Sequence, residues 1–301
     1  MPERRTDLAV EAHEIWRESA AEETKLAGVQ AREYDRENCP VTHVRILDEQ
    51  GAQALGKPVG TYVTVDISAL SHGEPSVFAR TVRALAEELR PLLPLAPGRP
   101  ALVVGLGNRD ITPDAIGPLT AGHLMITRHL VQTLPDMFGQ LRPVAALTPG
   151  VLGSTGVESA VIIKGVVDSV QPCAVIMVDA LASRRLARVC TTVQLADTGI
   201  VPGSGVGNAR AALNRETLGA PVIALGVPTV VDAATLCADI METAGAGELD
   251  PERLRAHGGA MIVTPKDIDT HVQDIARVLG YAINMTLHEG FTVEDITDFL
   301  S

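Results

Sequence analysis

The stretch Ala174-Val-Ile-Met-Val178, closed by Asp179, is the most apolar strand-like segment of the chain. An apolar run without polar alternation is typical of a strand that is buried on both faces, as in parallel sheets covered by helices. An acid at the end of such a run must reach solvent, a partner or a functional site. The segment therefore predicts a central strand with a candidate functional carboxylate, Asp179, at its carboxyl end.

Further short apolar runs alternate with helix-like segments on both sides of this strand. The predicted strands are Gly60–Ile67, Ala101–Val104, Pro143–Leu147, Val189–Leu195 and Pro221–Val227, and the predicted helices are Leu8–Glu33, Val77–Leu93, Gly156–Val170 and Thr264–Leu287. Alternation of this kind is typical of βαβ units. We therefore predict an α/β fold, with a mostly parallel twisted sheet flanked by helices, in one domain that follows a detachable N-terminus.

Composition narrows the class of protein. The formal net charge of −12 argues against binding to nucleic acid through phosphate contacts. The four cysteines form no CxxC pair, so reduced thiols are expected rather than a zinc site or a disulfide framework. The sequence shows neither a signal peptide nor an apolar run of about 18 residues. These features predict an acidic cytoplasmic enzyme that contacts neither nucleic acid nor membrane and needs no cofactor.

A second acid follows another predicted strand. Ala101–Val104 runs into Gly105 and Gly107, and then into Thr112-Pro-Asp114, which resembles a helix start with Thr112 as N-cap. Functional groups gather beyond the carboxyl ends of parallel strands, so Asp114 and Asp179 are expected to lie close together. One of two neighbouring carboxyl groups keeps a proton, while the ionised one can activate water. Asp114 could instead only favour the first turn of its helix.

Glycine patterns add weaker signals. Gly105-x-Gly107 resembles the start of a dinucleotide fingerprint, but Asp110 stands where the third glycine is expected. The cluster Pro202–Asn208 could cradle an anion or form a tight loop, and the absence of a Walker lysine favours the loop. Neither an HExxH zinc motif nor a GxSxG serine-hydrolase motif occurs.

Taken together, a series of ordered segments resembles the germination protease family of spore-forming bacteria, from about Thr6 to His288. They include Val103–Asn108, Thr112–Pro118, Pro149–Gly153, Val178–Ala182, Pro202–Asn208, Gly226–Ala233 and Met261–Lys266. The resemblance implies an aspartic-type endopeptidase in which Asp114 and Asp179 are catalytic, with a fold similar to that of hydrogenase-maturation endopeptidases. It also implies a homotetramer in the forespore and spore core, whose substrates are the small acid-soluble proteins that coat spore DNA.

The resemblance further implies a zymogen. Family members cut after Glu in sequences such as Thr-Glu-Ile-Ala, and activation removes a pro-segment at a similar sequence. Thr6-Asp-Leu-Ala9 fits this pattern with Asp in place of Glu, which predicts processing between Asp7 and Leu8. The pro-segment is then residues 1–7 and the peptidase domain residues 8–301. Acidification is expected to start processing, through the carboxyl pair or through a Glu-rich N-terminal segment that holds the pro-segment.

Two departures and two alternatives accompany this interpretation. The pro-segment is very short, and the segment between Asp232 and Met261 is short in comparison with many members. One alternative is a metal-dependent peptidase of the hydrogenase-maturation type, with the carboxylates as metal ligands. The other is a nucleotide-binding oxidoreductase that uses Gly105 and Gly107.

Overall fold

A nine-stranded sheet forms the centre of the molecule in the computed structural model, which describes residues 6–19, 26–72, 75–207, 210–245 and 261–301. In chain order the strands are β1 Val29–Arg36, β2 Cys39–Ile46, β3 Gly60–Asp66, β4 Ala101–Gly105, β5 Val144–Leu147, β6 Ala174–Ser183, β7 Thr192–Ala196, β8 Val222–Asp232 and β9 Ile262–Val263. Across the sheet the order is β1-β2-β3-β7-β8-β6-β4-β5, and β9 pairs with β8.

Helices cover both faces of this sheet. They are α1 Ala9–Ser19, α2 Glu49–Leu55, α3 Pro75–Leu89, α4 Ile116–Ala121, α5 Arg128–Thr133, α6 Pro135–Phe138, α7 Leu152–Thr155, α8 Ser159–Val170, α9 Arg215–Leu218, α10 Ala233–Thr243, α11 Ile268–Leu287 and α12 Val293–Leu300. Side chains alternate between the faces of a strand, so Val103 of β4 packs with α3 and α11 while Leu102 packs with α8. Among the described residues, no helix is both long enough and apolar enough to cross a bilayer. The predicted α/β class, a large sheet flanked by helices, is confirmed.

The sheet is mixed, so the prediction that it is mostly parallel was wrong. Strands β8, β6, β4 and β5 pair in parallel, whereas β1, β2, β3, β7 and β8 form an antiparallel series. The edge strand β1 is polar and largely exposed, and therefore lacks the apolar run that marks a buried strand. Its hairpin turn places both central residues, Glu37 and Asn38, at positive φ, 52° and 61°, as a type I′ turn requires.

Other element bounds also differ from the prediction. Of the helix predicted over Leu8–Glu33, Ala9–Ser19 is helical, residues 20–25 lie outside the described part of the chain, and Val29–Glu33 belong instead to β1. The start of α1 is buried, since Ala9 is 0% exposed, although the polar, charge-rich sequence of Leu8–Glu33 favours a helix on the surface. Strand β6 does not end at Asp179 but continues to Ser183, because β8 also runs on beside it and pairs with it there.

Candidate active site

The loop after β4 passes directly beside Asp179. Gly105 is the last residue of β4 and pairs with Val178 of β6, and the Leu106 N–H donates to the Val178 carbonyl at 2.8 Å. The next residue of β6 is Asp179. The parallel register thus carries the β4 loop to the end of the sheet where the carboxyl group of Asp179 is found.

Asp114 returns to this loop on a 3₁₀ turn, Thr112–Asp114. The Asp114 Oδ2 atom accepts from the Asn108 N–H at 2.7 Å, and the Thr229 hydroxyl donates to the Pro113 carbonyl at 2.7 Å. The predicted helix start at Thr112 was wrong: Ile111 precedes the turn, and the α-helix begins only at Ile116. Asp114 is therefore held by the β4 loop and by β8 rather than by the first turn of a long helix.

The two glycines of the weak dinucleotide pattern have a packing role at this place. Gly107 has φ of 109°, and a Cβ atom there would lie 2.0 Å from the Asp114 carbonyl oxygen. A Cβ atom on Gly105 would lie 2.2 Å from the Gly117 carbonyl oxygen, at the start of α4. Glycine is needed where backbones approach this closely. Protein atoms of the Asp114 turn thus occupy the space beside both glycines.

Burial sets the protonation of the two acids. The Asp179 side chain accepts from the Ala180 N–H at 3.0 Å, and the residue is only 5% exposed. Burial raises the pKa of Asp179 well above its usual range, and the negative charge of Asp114 raises it further. Burial also raises the pKa of Asp114, which is less enclosed, while its bond from the Asn108 N–H lowers it. The pair therefore favours a proton on Asp179 and a negative charge on Asp114.

Both carboxyl groups line one cavity of about 430 Å³, and so does Asp7 from the N-terminal segment. The charge of Asp7 is a further, smaller cause of the raised pKa of Asp179. Leu8 does not line the cavity and packs instead with Val10 and Leu181. Thus three of the four residues predicted for the site, Asp114, Asp179 and Asp7, meet at one cavity, and the fourth is buried next to it.

The carboxylate of Asp7 is held by groups from two parts of the chain. Its Oδ2 atom accepts from the Ala182 N–H at 2.9 Å, and its Oδ1 atom accepts from the Ser204 hydroxyl at 2.6 Å. The Asp7 N–H donates in turn to the Ala182 carbonyl at 3.0 Å. A Cβ atom on Gly205 would lie 2.1 Å from Oδ2. These residues, Ala182, Ser204 and Gly205, are called the acid seat below.

The main chain at Asp7 is held by Lys57, from the loop before β3, and by Gln194 of the antiparallel strand β7. The Asp7 carbonyl accepts from Lys57 Nζ at 3.0 Å and from Gln194 Nε2 at 3.2 Å. The Gln194 Oε1 atom accepts from the Ala9 N–H at 2.7 Å, so one amide side chain spans the backbone on both sides of Leu8. Burial lowers the pKa of Lys57, and the charges of Asp7 and Glu11 oppose that effect.

Glu11 fixes the start of α1 against the loop after β6. It is 1% exposed, and it accepts from the Arg184 N–H at 2.6 Å and from the Arg185 N–H at 3.0 Å. The Thr6 hydroxyl donates to the same carboxylate at 2.5 Å. Burial raises the pKa of Glu11, while these hydrogen bonds and the Arg188 charge lower it. Glu11 therefore ties Thr6, on the N-terminal side of Asp7, to the body of the protein.

Four residues that hold the N-terminal segment were not predicted from the sequence: Lys57, Gln194, Ser204 and Glu11. Two of them carried a signal: Gln194 is a polar residue in an otherwise apolar strand, and Ser204 lies in the glycine cluster Pro202–Asn208. Within the described ranges, no three His, Cys, Asp or Glu side chains are grouped in the manner of metal ligands.

Comparisons with known proteins show which families this chain is similar to. A family model described as germination protease matches residues 9–244. A germination protease of Clostridium perfringens is 44% identical, over 99% of this chain and 99% of the relative. A germination protease of Caldanaerobacter subterraneus is 43% identical, over 98% of this chain and 98% of the relative. One of Halalkalibacterium halodurans is 35% identical, over 97% of this chain and 95% of the relative.

Among solved structures, the chain is similar to a [NiFe] hydrogenase maturation protease, HycI, from Thermococcus kodakarensis. The match covers 62% of this chain and 94% of that protein, at 16% identity and a TM-score of 0.34.

Proposed function

The chain belongs to the germination protease family, and we propose that it is an aspartic-type endopeptidase in which Asp114 and Asp179 form the catalytic pair. The observation that carries this proposal is the placement of both carboxyl groups on one cavity, with raised pKa values that burial causes. Two acids that share an environment of this kind divide into a proton donor and an ionised base.

In the proposed reaction, the Asp114 carboxylate removes a proton from water as the water oxygen attacks the carbonyl carbon of the peptide bond. Protonated Asp179 donates its proton to the carbonyl oxygen, which gives a neutral tetrahedral intermediate. The proton on Asp114 then moves to the leaving nitrogen, the C–N bond breaks, and Asp179 recovers its proton from the intermediate. The assignment of the two roles follows the burial, because Asp179 is the more enclosed acid.

We propose that the protein is made as a zymogen and is processed between Asp7 and Leu8. Three contacts support this: Asp7 lines the cavity with the pair, its carboxylate is bound, and its carbonyl accepts from Lys57 and Gln194. The pro-segment is then residues 1–7, of which residues 1–5 lie outside the described part of the chain, and the peptidase domain is residues 8–301.

The proposed substrates are the small acid-soluble proteins of spores, cut after Glu or Asp and before an aliphatic residue. The seating of Asp7, followed by the buried Leu8, supports this order of side chains. The homotetramer and the location in the forespore and spore core are proposed from the family resemblance.

Incubation with a purified small acid-soluble spore protein tests the proposal, with mass spectrometry of the products. We expect cuts after Glu or Asp that precede an aliphatic residue, and unchanged rates when a chelator is present. A substrate protein that stays intact would contradict the proposal. Cleavage that a chelator abolishes would favour the metal-dependent alternative.

A further inference from the structure

We propose that the acid seat, formed by Ala182, Ser204 and Gly205, is the subsite that selects an acidic residue immediately before the cut bond. This inference rests on the proposed function, since Asp7 is taken as the residue before the bond that is cut. In the structure this seat holds the protein's own Asp7. In the processed enzyme it is free to receive the corresponding side chain of a substrate.

The donors of the seat match an ionised carboxylate. Each oxygen of Asp7 receives one donor, the Ala182 N–H on Oδ2 and the Ser204 hydroxyl on Oδ1. An amide of the same shape has one acceptor oxygen, and its NH₂ group would face one of these two donors. The Ala182 N–H can only donate, so the amide oxygen must face it, and the NH₂ group must then donate to the Ser204 hydroxyl oxygen. Both charge-assisted hydrogen bonds of the carboxylate are thereby replaced by weaker neutral ones.

The glycines of the cluster Pro202–Asn208 shape the seat. The 3₁₀ turn Ser204–Val206 lies between Gly203 and Gly207, whose φ angles of 74° and 75° are left-handed. Gly205 leaves room for the carboxylate, since a Cβ atom would lie 2.1 Å from Oδ2. The described residues of this cluster form the tight loop, one of its two alternatives, and the contact of the cluster with the Asp7 carboxylate comes from the Ser204 hydroxyl.

Strand β6 forms the other side of the seat because it extends beyond the end of β4. Its pairing with β4 ends at Val178, and its pairing with β8 shifts register between Leu181 and Ala182. Beyond this point Ala182 offers both its N–H and its carbonyl to Asp7. An extended chain that adds to the free part of a strand in this way gains backbone hydrogen bonds whatever its side chains are, and the seat adds the selection for an acid.

Four matched peptides test the subsite. They contain Thr-X-Leu-Ala with Asp, Asn, Glu or Gln at X, and kcat/KM is measured for each with the wild-type chain, Ser204→Ala and a control, Ser159→Ala. Ser159 lines the same cavity, but its hydroxyl donates to the Gly150 carbonyl. We expect Ser204→Ala to lower the acid-to-amide ratio about tenfold, as is typical for a lost hydrogen bond to a charged group. The control should keep the wild-type ratio.

Gly205→Ala is a second variant with a different expected result. Its methyl group fills the space beside Oδ2, so kcat/KM should fall for all four peptides. A third measurement does not depend on turnover: in the unprocessed chain, Ser204→Ala should speed hydrogen exchange at the Asp7 and Ala182 amides, while Ser159→Ala should not.

The outcomes separate the two proposals. If the wild-type chain cuts none of the peptides and no small acid-soluble protein, the proposed function fails, and the subsite fails with it. If the wild-type chain cuts them and Ser204→Ala keeps the wild-type acid-to-amide ratio, only the subsite is overturned. This holds even if Ser204→Ala speeds hydrogen exchange at the Asp7 and Ala182 amides. The acid seat would then bind the N-terminus without selecting substrates.

Discussion

Two carboxyl groups lie at neighbouring positions along strand β6: Asp179 belongs to the strand, and Asp7 is bound at Ala182. Their surroundings have opposite effects. Asp179 is buried beside a second acid, and both effects raise its pKa. The carboxylate of Asp7, bound near Ala182, receives a backbone N–H and a hydroxyl, and Lys57 lies on the carbonyl of the same residue. Deep burial therefore makes the Asp179 carboxyl group hold its proton more strongly, whereas the Asp7 carboxyl group is bound through its oxygens by converging donors.

This difference predicts that variants at the two places fail in different ways. Changes at the Asp114–Asp179 pair should remove the chemistry and leave the N-terminus in its place. Changes around Asp7 should leave the chemistry intact and alter which bond is presented to it.

The largest effect is expected from the pair. Asp114→Asn and Asp179→Asn should each lower kcat on a protein substrate by about 10³-fold or more, because an amide can neither accept nor share the proton. Asp179→Asn should also leave the N-terminus unprocessed. Turnover by mass spectrometry and the N-terminal sequence measure both effects, and near-wild-type turnover in either variant would remove that residue from the pair.

Stability gives an independent check on Asp179. Because its pKa is raised in the folded state, its contribution to stability is full at low pH and is lost as pH rises through that pKa. Asp179→Asn should therefore raise the free energy of unfolding at neutral pH and lose this advantage near pH 3.8, the ordinary value for Asp. Urea unfolding at the two pH values measures the difference, and equal effects at both would contradict the assigned protonation.

The next largest effect is expected at Asp7, the residue before the bond at which we propose processing. Asp7→Asn should slow processing by about 10- to 100-fold, since the two charge-assisted hydrogen bonds of the carboxylate become weaker neutral ones. Asp7→Glu should retain more of the rate, because the charge is kept. N-terminal sequencing over a time course gives the rates. Equal rates for Asp7→Asn and the wild-type chain would show that the bound anion does not position the bond.

A smaller effect is expected from Lys57. Its ammonium group donates to the carbonyls of Thr6 and Asp7, and the second of these belongs to the bond at which we propose processing. Lys57→Met keeps most of the aliphatic length and removes the charge, so processing should slow by roughly tenfold. A control is Lys164→Met, since Lys164 lies on α8 and pairs with Asp168. If the control slows processing as much, the Lys57 contact has no specific role.

The parts of the site that could be predicted from the sequence are those that follow apolar strands. Asp179 closes the most apolar run, and Asp114 follows the neighbouring strand, so the rule that parallel strand ends converge brings both to one place. Lys57, Gln194 and Ser204 could not be found in this way. Lys57 lies in the loop before β3, Gln194 lies on the antiparallel strand β7, and Ser204 is 197 positions away from Asp7 in the chain.

The fold shows the same division. The most buried strands were predicted because they read as continuous apolar runs, the helix α3 because its apolar residues recur at helical spacing, and the helix α11 because Thr-Pro opens it. The hairpin β1–β2 was missed because an exposed edge strand carries mostly polar residues. The predicted end of β6 at Asp179 was wrong because pairing with β8, and not the apolar pattern, sets where that strand ends.

The smallest expected effect is the pH dependence of the contacts that Glu11 makes. It distinguishes the two proposed sites at which acid starts processing, the carboxyl pair and the N-terminal segment. Acidification was expected to act either on the carboxyl pair or on a Glu-rich segment that holds the N-terminus. Glu11 is that holding residue, with Arg188 at 3.6 Å and Lys57 as the nearby cations, and burial raises its pKa. A raised pKa means that the docked segment binds the proton more strongly than the free segment does. A fall in pH through that range therefore strengthens docking, which is the opposite of release.

We therefore assign the proposed acid trigger to Asp114 and Asp179 rather than to Glu11. We expect hydrogen exchange at the amides of Leu8 and Ala9, corrected for intrinsic rates, to slow modestly as pH falls from neutral towards 4.5, the ordinary value for Glu. Glu11→Gln carries no titrating group at this position and should lose the pH dependence, yet it should still be processed faster in acid. If exchange at these amides instead speeds up on acidification in the wild-type chain and not in Glu11→Gln, the segment is released by protonation of Glu11, and the trigger lies at the N-terminus rather than at the pair.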